Sequence, residues 1–325
     1  MRTDPQTHAV MLLTVSLGKA EGGGVRPLSV KEWARFAAWL KDHDLEPAAL
    51  LAGGLGATLR GWTDRSITPS RLESLLSRGR ALGLALEKWR RAGLWAVTRS
   101  DAEYPRRLKR RLRLESPPVL FGCGDRALLE RGGVAIVGSR DADAEDLAVA
   151  GDLAATAVRQ GHAVVSGAAR GVDMSAMRAA LAGGGGAIGV MANGLLRAAT
   201  AAENRECLLG GALALVTPFN PEAGFNAGNA MARNRYIYCL ADAAVVVSSA
   251  ANAGGTWSGA IEDLAAGWVP LWVRRSTGAG SGNADLVRRG ARWLPDDPGL
   301  LSDLLDGAGG GGGGDLPLLE GAETI

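Results

Sequence analysis

The rhythm of apolar positions changes near residue 134. Before it, hydrophobic residues recur at helical spacing. Ser29 stands three residues before Glu32, the pattern of a capping box, and Trp33, Phe36, Ala37 and Leu40 follow three and four apart. The spacing predicts a short helix over 45–51, ended by Gly53-Gly54. A third helix is predicted over 70–91, with Leu72, Leu75, Leu76, Leu82, Leu86 and Trp89 on its apolar face. The apolar stretch 9–17 also reads as a helix, since its flank carries Asp4 and Pro5 and lacks the charge of a signal peptide. Two short strands are predicted, Trp95-Ala96-Val97 and Val119-Leu120-Phe121. Between them lie Tyr104-Pro105, a basic run and the breaker Pro117-Pro118.

From Val134 onward, short continuous apolar runs alternate with helical patterns. Strands are predicted over 134–137, 163–165, 187–191, 212–217, 243–247 and 268–273, and helices over 144–159, 173–181, 202–209, 233–240 and 255–266. Runs of this kind, each followed by a helix, build βαβ units. The fold class expected is α/β: a Rossmann-like, doubly wound, mostly parallel sheet preceded by a small helical N-terminal domain. The expected organisation is a helical domain over 1–94, a basic connecting segment over 95–133 leading into the sheet, the Rossmann-like domain over 134–306 and a Gly-rich flexible tail over 307–325. The unbroken glycines 309–314 are the reason for the last assignment.

Composition narrows the class. Of 325 residues, 47% are hydrophobic and 22% charged, a globular profile with no apolar stretch of the roughly 20 residues a membrane span needs. Three scattered cysteines and three scattered histidines leave no disulfide framework and no metal-ligand spacing. A cytoplasmic protein without a metal or cofactor is expected. Net charge is only +2, but residues 1–133 hold 23 Lys and Arg against 14 Asp and Glu, a net of +9, and residues 134–325 hold 13 against 20, a net of −7. The sharpest patch is 106–113, six of whose eight residues are cationic. A basic half of this kind fits a polyanion partner or contact with the acidic half.

Candidate chemistry gathers at the strand-to-helix turns. In open α/β sheets ligands sit at the carboxyl ends of the strands, where helix N-termini favour anions. Small residues stand there at Gly138-Ser139, Ser166-Gly167, Gly194 and Gly254-Gly255-Thr256. Arginines lie beside three of these places, at Arg140, at Arg170-Gly171 and at Arg233-Asn234-Arg235. Together they predict a phosphate-binding edge. The first turn lacks GxGxxG, and neither GxxxxGK[ST] nor GxSxG occurs, which disfavours a dinucleotide site, a Walker ATPase and a hydrolase elbow. Asp173 and Glu262 are the acids near the turns. Asp173 reads either as a buttress of its turn or as a catalytic group, and Glu262 falls two turns into a helix.

These motifs resemble the DNA-processing protein A family (DprA/Smf). The resemblance rests on AEYPRRL (102–108), SPPVLFGCGD (116–125), VAIVGSR (134–140), VVSGAARGVDMSAMRAAL (164–181) and ARNRYIYCLADAAVVV (232–247), in that order across about 95–273. It implies a non-enzymatic single-stranded DNA binder that acts as a homodimer and assists a RecA-type recombinase in recombination or DNA uptake. It also implies that DNA phosphates sit along the GSR turn at Gly138, Ser139 and Arg140, the turn at Ser166, Gly167, Arg170 and Asp173, and the segment Arg233, Asn234 and Arg235; the small-residue turns add Gly171, Gly254, Gly255 and Thr256 to the expected phosphate-binding edge. The chain departs from the family pattern at Met177, where His is usual, and at Ala230-Met231, where Phe-Pro is usual; Phe225 is either a substitute stacking ring or a core residue. The turn 253–259 is closer to the GGTxT turns of the wider nucleotide-binding superfamily, which includes enzymes resembling cytokinin-activating phosphoribohydrolases. These departures lead to the expectation of a divergent branch without a winged-helix domain after the sheet. They keep open an alternative: a nucleotide sensor or N-glycosidic hydrolase using the same pocket, with Glu262 or Asp173 acting on a ribosyl bond.

Overall fold

A computed structural model describes residues 4–17, 25–275 and 282–295, with Leu305. The tail predicted over 307–325 lies outside the described residues. The N-terminal region holds α1 (Pro5–Thr14), α2 (Val30–Asp42), a 3-10 turn (Pro47–Leu51), α3 (Leu55–Thr58), α4 (Pro69–Leu76) and α5 (Gly79–Arg91). Asp4 caps α1 by accepting from the Thr7 N–H. The predicted capping box of α2 is formed, with Ser29 and Glu32 each accepting from the other's backbone N–H. Arg71 then pairs with Glu32 at 2.7 Å. That contact and the Ser29 bonds hold the Glu32 carboxyl down at about 2.

The single helix expected over 70–91 is two helices. The break falls at Ser77-Arg78, where the Arg78 guanidinium turns back to donate to the Leu12 carbonyl and so ties α1 to the joint. Helical periodicity continues across the break, which is why spacing alone does not reveal it.

Next come β1 (Trp95–Thr98), α6 (Arg106–Leu112), β2 (Val119–Gly124), α7 (Ala127–Arg131), β3 (Val134–Val137), α8 (Ala144–Arg159), β4 (Val164–Ser166), α9 (Val172–Ala182) and β5 (Ala187–Val190). They are followed by α10 (Leu195–Thr200), α11 (Ala202–Leu209), β6 (Leu213–Thr217), α12 (Ala227–Leu240), β7 (Ala243–Val246), α13 (Gly254–Ala266), β8 (Leu271–Val273), α14 (Asn283–Arg288) and β9 (Arg292–Trp293). The nine strands make one sheet, ordered β1-β2-β6-β5-β4-β3-β7-β8-β9. The run from β6 to β9 is parallel, whereas β1 and β2 are antiparallel. Segment 95–133 therefore does more than lead into the sheet: it supplies the two strands that extend one edge.

Side chains alternate across the sheet as the pleat requires. Val134 and Ile136 pack under α8 and α9, and Ala135 and Val137 face α12 and α13. The helical N-terminal region covers the other end. Its core residues Phe36, Leu72, Leu82 and Trp89 are continuous with Phe121, Cys123 and Leu215 of the sheet, and Trp89 meets Phe121 edge-on at 5.1 Å.

The chain winds outward from β3 through β4, β5 and β6, then returns to place β7 on the other side of β3. This reversal opens a crevice beyond the carboxyl ends of β3 and β7. Among the described residues no helix is long and apolar enough to cross a membrane.

Candidate functional site

A cleft of about 310 Å³ occupies that crevice. The turn after β3 forms one wall. A Cβ on Gly138 would stand 2.6 Å from a methyl of Val172, so glycine is what lets the start of α9 approach β3. Thr256 locks the opposite wall by donating its hydroxyl to the Gly138 carbonyl at 2.9 Å. Gly171 has φ +87°, and a Cβ there would meet the Ser139 carbonyl oxygen at 2.3 Å. Close approach at the two glycines thus sets one wall, and the Thr256 hydroxyl holds the other.

The three successive residues 233–235 of α12 do three different things. Arg233 points to the floor and is only 4% exposed. It faces Asp173 at 3.8 Å, and its Nε and Nη1 have no hydrogen-bond acceptor. Asn234 lines the cleft and donates to the Gly255 carbonyl at 2.7 Å, joining α12 to α13. Arg235 turns away, to Glu115 at 3.1 Å and to Glu262.

Gly167 makes the buried Arg233–Asp173 pair possible, since a Cβ there would fall 1.4 Å from Arg233 Nη1. Burial raises the Asp173 carboxyl, and the neighbouring guanidinium, the Ser166 hydroxyl and the Gly138 and Ala169 backbone oppose that rise. Burial also pushes Arg233 down. Tyr238, one turn along α12, lines the cleft with its hydroxyl buried and unpartnered, and burial pushes that hydroxyl well above its usual range.

The rim carries Arg140 and Phe225. Phe225 is 65% exposed, which removes it from the core, and Arg140 lies over its ring at 5.6 Å. The first turn of α13, at Gly254, Gly255 and Thr256, borders the same space, and its N-cap Ala253 offers no side-chain acceptor. Its N–H groups are therefore free for an anion. A buried guanidinium with two unfilled donors, an uncapped helix start and a cation–aromatic rim in one crevice suit a phosphate linked to a planar group.

Nine predicted residues come together here: Gly138, Ser139, Arg140, Asp173, Arg233, Asn234, Gly254, Gly255 and Thr256. Several others serve the scaffold. The Ser166 hydroxyl donates to the Ile136 carbonyl at 2.6 Å, tying β4 to β3. Gly167 and Gly171 provide clearance rather than lining. Arg170 pairs with Asp141 at the surface. Arg235 and Glu262 hold each other outside the lining of the cleft.

Two residues of the basic patch make contact with the acidic half, one of the two readings its charge allowed. Arg107 binds Asp242 at 2.6 Å and the Glu130 carbonyl at 2.7 Å. Arg111 donates to the carbonyls of Tyr238, Cys239 and Ala241, closing the end of α12. Two of the six cations thus hold the halves of the protein together. Tyr238 and Ser249 are lining residues that the sequence reading missed, because an aromatic in an apolar helix and a serine after a strand carry no distinguishing signal. Among the described residues no three His, Cys, Asp or Glu side chains cluster as metal ligands.

Comparison with known proteins gives a consistent result. The family profile described as DNA recombination-mediator protein A matches residues 95–304. A putative DNA processing protein DprA of Mycobacterium tuberculosis (strain CDC 1551 / Oshkosh) is 35% identical over 188 residues, 55% of this chain and 47% of that protein. The DNA processing protein DprA of Bacillus subtilis (strain 168) is 36% identical over 110 residues, 34% of this chain and 36% of that one. The chain thus spans less than half the length of these curated relatives in the matched regions.

Among solved structures, DNA processing protein A from Streptococcus pneumoniae superposes with a TM-score of 0.71 at 20% identity, covering 94% of this chain and 99% of that chain. DNA processing protein A from Helicobacter pylori, described for its single-stranded DNA binding mode, gives 0.55 at 24% identity over 66% and 98%. Both agree with this chain in fold. Since the profile covers the sheet, both walls of the cleft and α12, this chain belongs to the DNA recombination-mediator protein A family.

Proposed function

We propose that the cleft holds the phosphate backbone of single-stranded DNA and that the protein is a non-enzymatic DNA-processing factor. The observation that carries this reading is Arg233: a guanidinium on the cleft floor, 4% exposed, with two nitrogens lacking an acceptor. A buried donor left unpaired costs about 1–3 kcal/mol, more when charged, and a small shift of the guanidinium toward a phosphate in the cleft would recover that cost. Asp173 already faces Arg233, yet at 3.8 Å it satisfies neither nitrogen. Phe225 at the rim offers a face for a base, a contact worth roughly 1–3 kcal/mol per base and tolerant of sequence. The relative from Helicobacter pylori is described by its binding of single-stranded DNA.

The test is fluorescence anisotropy of labelled single-stranded and duplex oligonucleotides over a salt series. Expected are a preference for the single strand, a steep loss of affinity with salt and a tenfold or greater weakening in Arg140→Ala. Flat, weak binding unchanged in Arg140→Ala would overturn the reading. Of the two acids of the hydrolase alternative, Glu262 is held by Arg235 away from the cleft lining, and Asp173, which lines the cleft, faces Arg233. Turnover of a nucleotide that disappears in Glu262→Ala would favour that alternative. The same proposal includes assistance to a RecA-type recombinase in recombination or DNA uptake, a homodimeric state and a cytoplasmic setting. Light scattering of the purified protein and recombinase loading on coated single strands test the first two, and cell fractionation tests the third.

A further inference from the structure

A second and larger cavity, of about 720 Å³, lies where the helical N-terminal region meets β1 and α6, on elements separate from those of the switch-point cleft. Its floor is apolar, built from Val10, Trp33 and Leu40, all buried. Its rim is cationic, with Lys41 from the end of α2, Arg99 just after β1 and Lys109 on α6. Among the described residues no acid pairs with any of these three side chains. Arg99 is half-buried, and its Nε is enclosed without a hydrogen-bond acceptor. Asp44 and Glu46 complete the rim from the turn after α2.

The volume falls within the range of roughly 300–1,000 Å³ typical of small-molecule sites. An apolar floor that includes an indole suits a planar ring. The orphaned Arg99 nitrogen and the two lysines suit an anionic group at one end. The carboxylates of Asp44 and Glu46 require hydrogen-bond donors on the remainder of the ligand. They also oppose a continuous run of phosphates, which distinguishes this cavity from a DNA track. We infer that this cavity is a binding site for a mononucleotide-class ligand, with the phosphate at Arg99, Lys41 and Lys109, the base on the apolar floor, and ribose hydroxyls or a base amine toward Asp44 and Glu46. A ligand seated there touches both the helical region and the sheet, so it would also stiffen their contact.

The experiment is isothermal titration calorimetry of the full chain and of Arg140→Ala with the four common ribonucleoside monophosphates, their nucleosides and inorganic phosphate. The Arg140→Ala background separates this cavity from the switch-point cleft. Expected is binding of at least one monophosphate that persists in Arg140→Ala. That binding should weaken about tenfold or more when Arg99→Gln or Lys41→Ala is added, the size of a lost charge-assisted hydrogen bond. Lys41 is exposed, so its variant keeps the test valid if Arg99→Gln disturbs folding. Absence of monophosphate binding in Arg140→Ala would overturn the inference, as would binding that neither added substitution moves. Inorganic phosphate or a nucleoside binding as tightly as the monophosphate would overturn it too.

Discussion

Replacing Gly167 by alanine isolates the buried pair beneath the cleft. The new Cβ would lie 1.4 Å from Arg233 Nη1 and 2.5 Å from Asp173 Oδ2. Ordinary contact needs about 3.5 Å, so the guanidinium must move by roughly 2 Å. Arg233 lines the cleft, so the open space toward which it can move is the cleft itself. Asp173 is then left buried without its partner. Breaking a buried pair from one side costs about 3–5 kcal/mol, and relocation of the arginine into the cleft recovers part of that. The backbone at Gly167 is not in the positive-φ region, so alanine itself contributes a small gain, about 0.5 kcal/mol. A net loss of about 2–4 kcal/mol is expected, a fall in Tm of roughly 3–6 °C, together with weaker single-strand binding as the arginine fills the cleft.

Urea denaturation of Gly167→Ala, Arg233→Met and the double variant provides the assay. Removing the guanidinium makes room for the Cβ. The two losses should therefore be less than additive, with a coupling of about 1 kcal/mol or more. A neutral Gly167→Ala, or strict additivity in the double variant, would refute the steric argument.

Three further predictions concern other parts of the molecule. Burial pushes Asp263 up to about 7 from an ordinary value of 3.8, so between about pH 4 and 7 the folded state keeps a proton that the unfolded chain has released. Stability should decline as pH rises through that window, by up to about 4 kcal/mol. Asp263→Asn should flatten that decline in denaturation curves at pH 5 and 8, and an unchanged slope would contradict it. Arg111→Met leaves the final carbonyls of α12 without their donor and should cost about 2–3 kcal/mol in urea unfolding; a loss below about 0.5 kcal/mol would assign Arg111 no role in closing the helix. Phe225→Ala should weaken single-strand binding about tenfold while leaving Tm unmoved, since the ring is largely exposed; anisotropy and thermal melts read the two effects separately.

Much of the α/β alternation was legible from local pattern. Helix 144–159 and helix 202–209 have the predicted bounds, and the Ser29–Glu32 capping box is formed. These features depend on periodicity and capping within a few residues, which a linear sequence carries in full. The glycine turns after β3 and before α13 were legible for the same reason.

Contacts between distant residues were not legible. At the break, Arg78 donates to a carbonyl 66 residues away. The placement of β1 and β2 in the main sheet depends on pairing β2 with β6. The segment 233–235 shows the limit most clearly. Successive helical residues point about 100° apart, so three adjacent polar residues cannot share one target. The sequence by itself determined that an Arg-Asn-Arg segment lies on a helix beside a phosphate-suited edge. Only the tertiary structure decided that Arg233 faces the cleft floor, Asn234 faces α13 and Arg235 faces Glu115 and Glu262, because the rotation of α12 is set by its packing on the sheet and on α13.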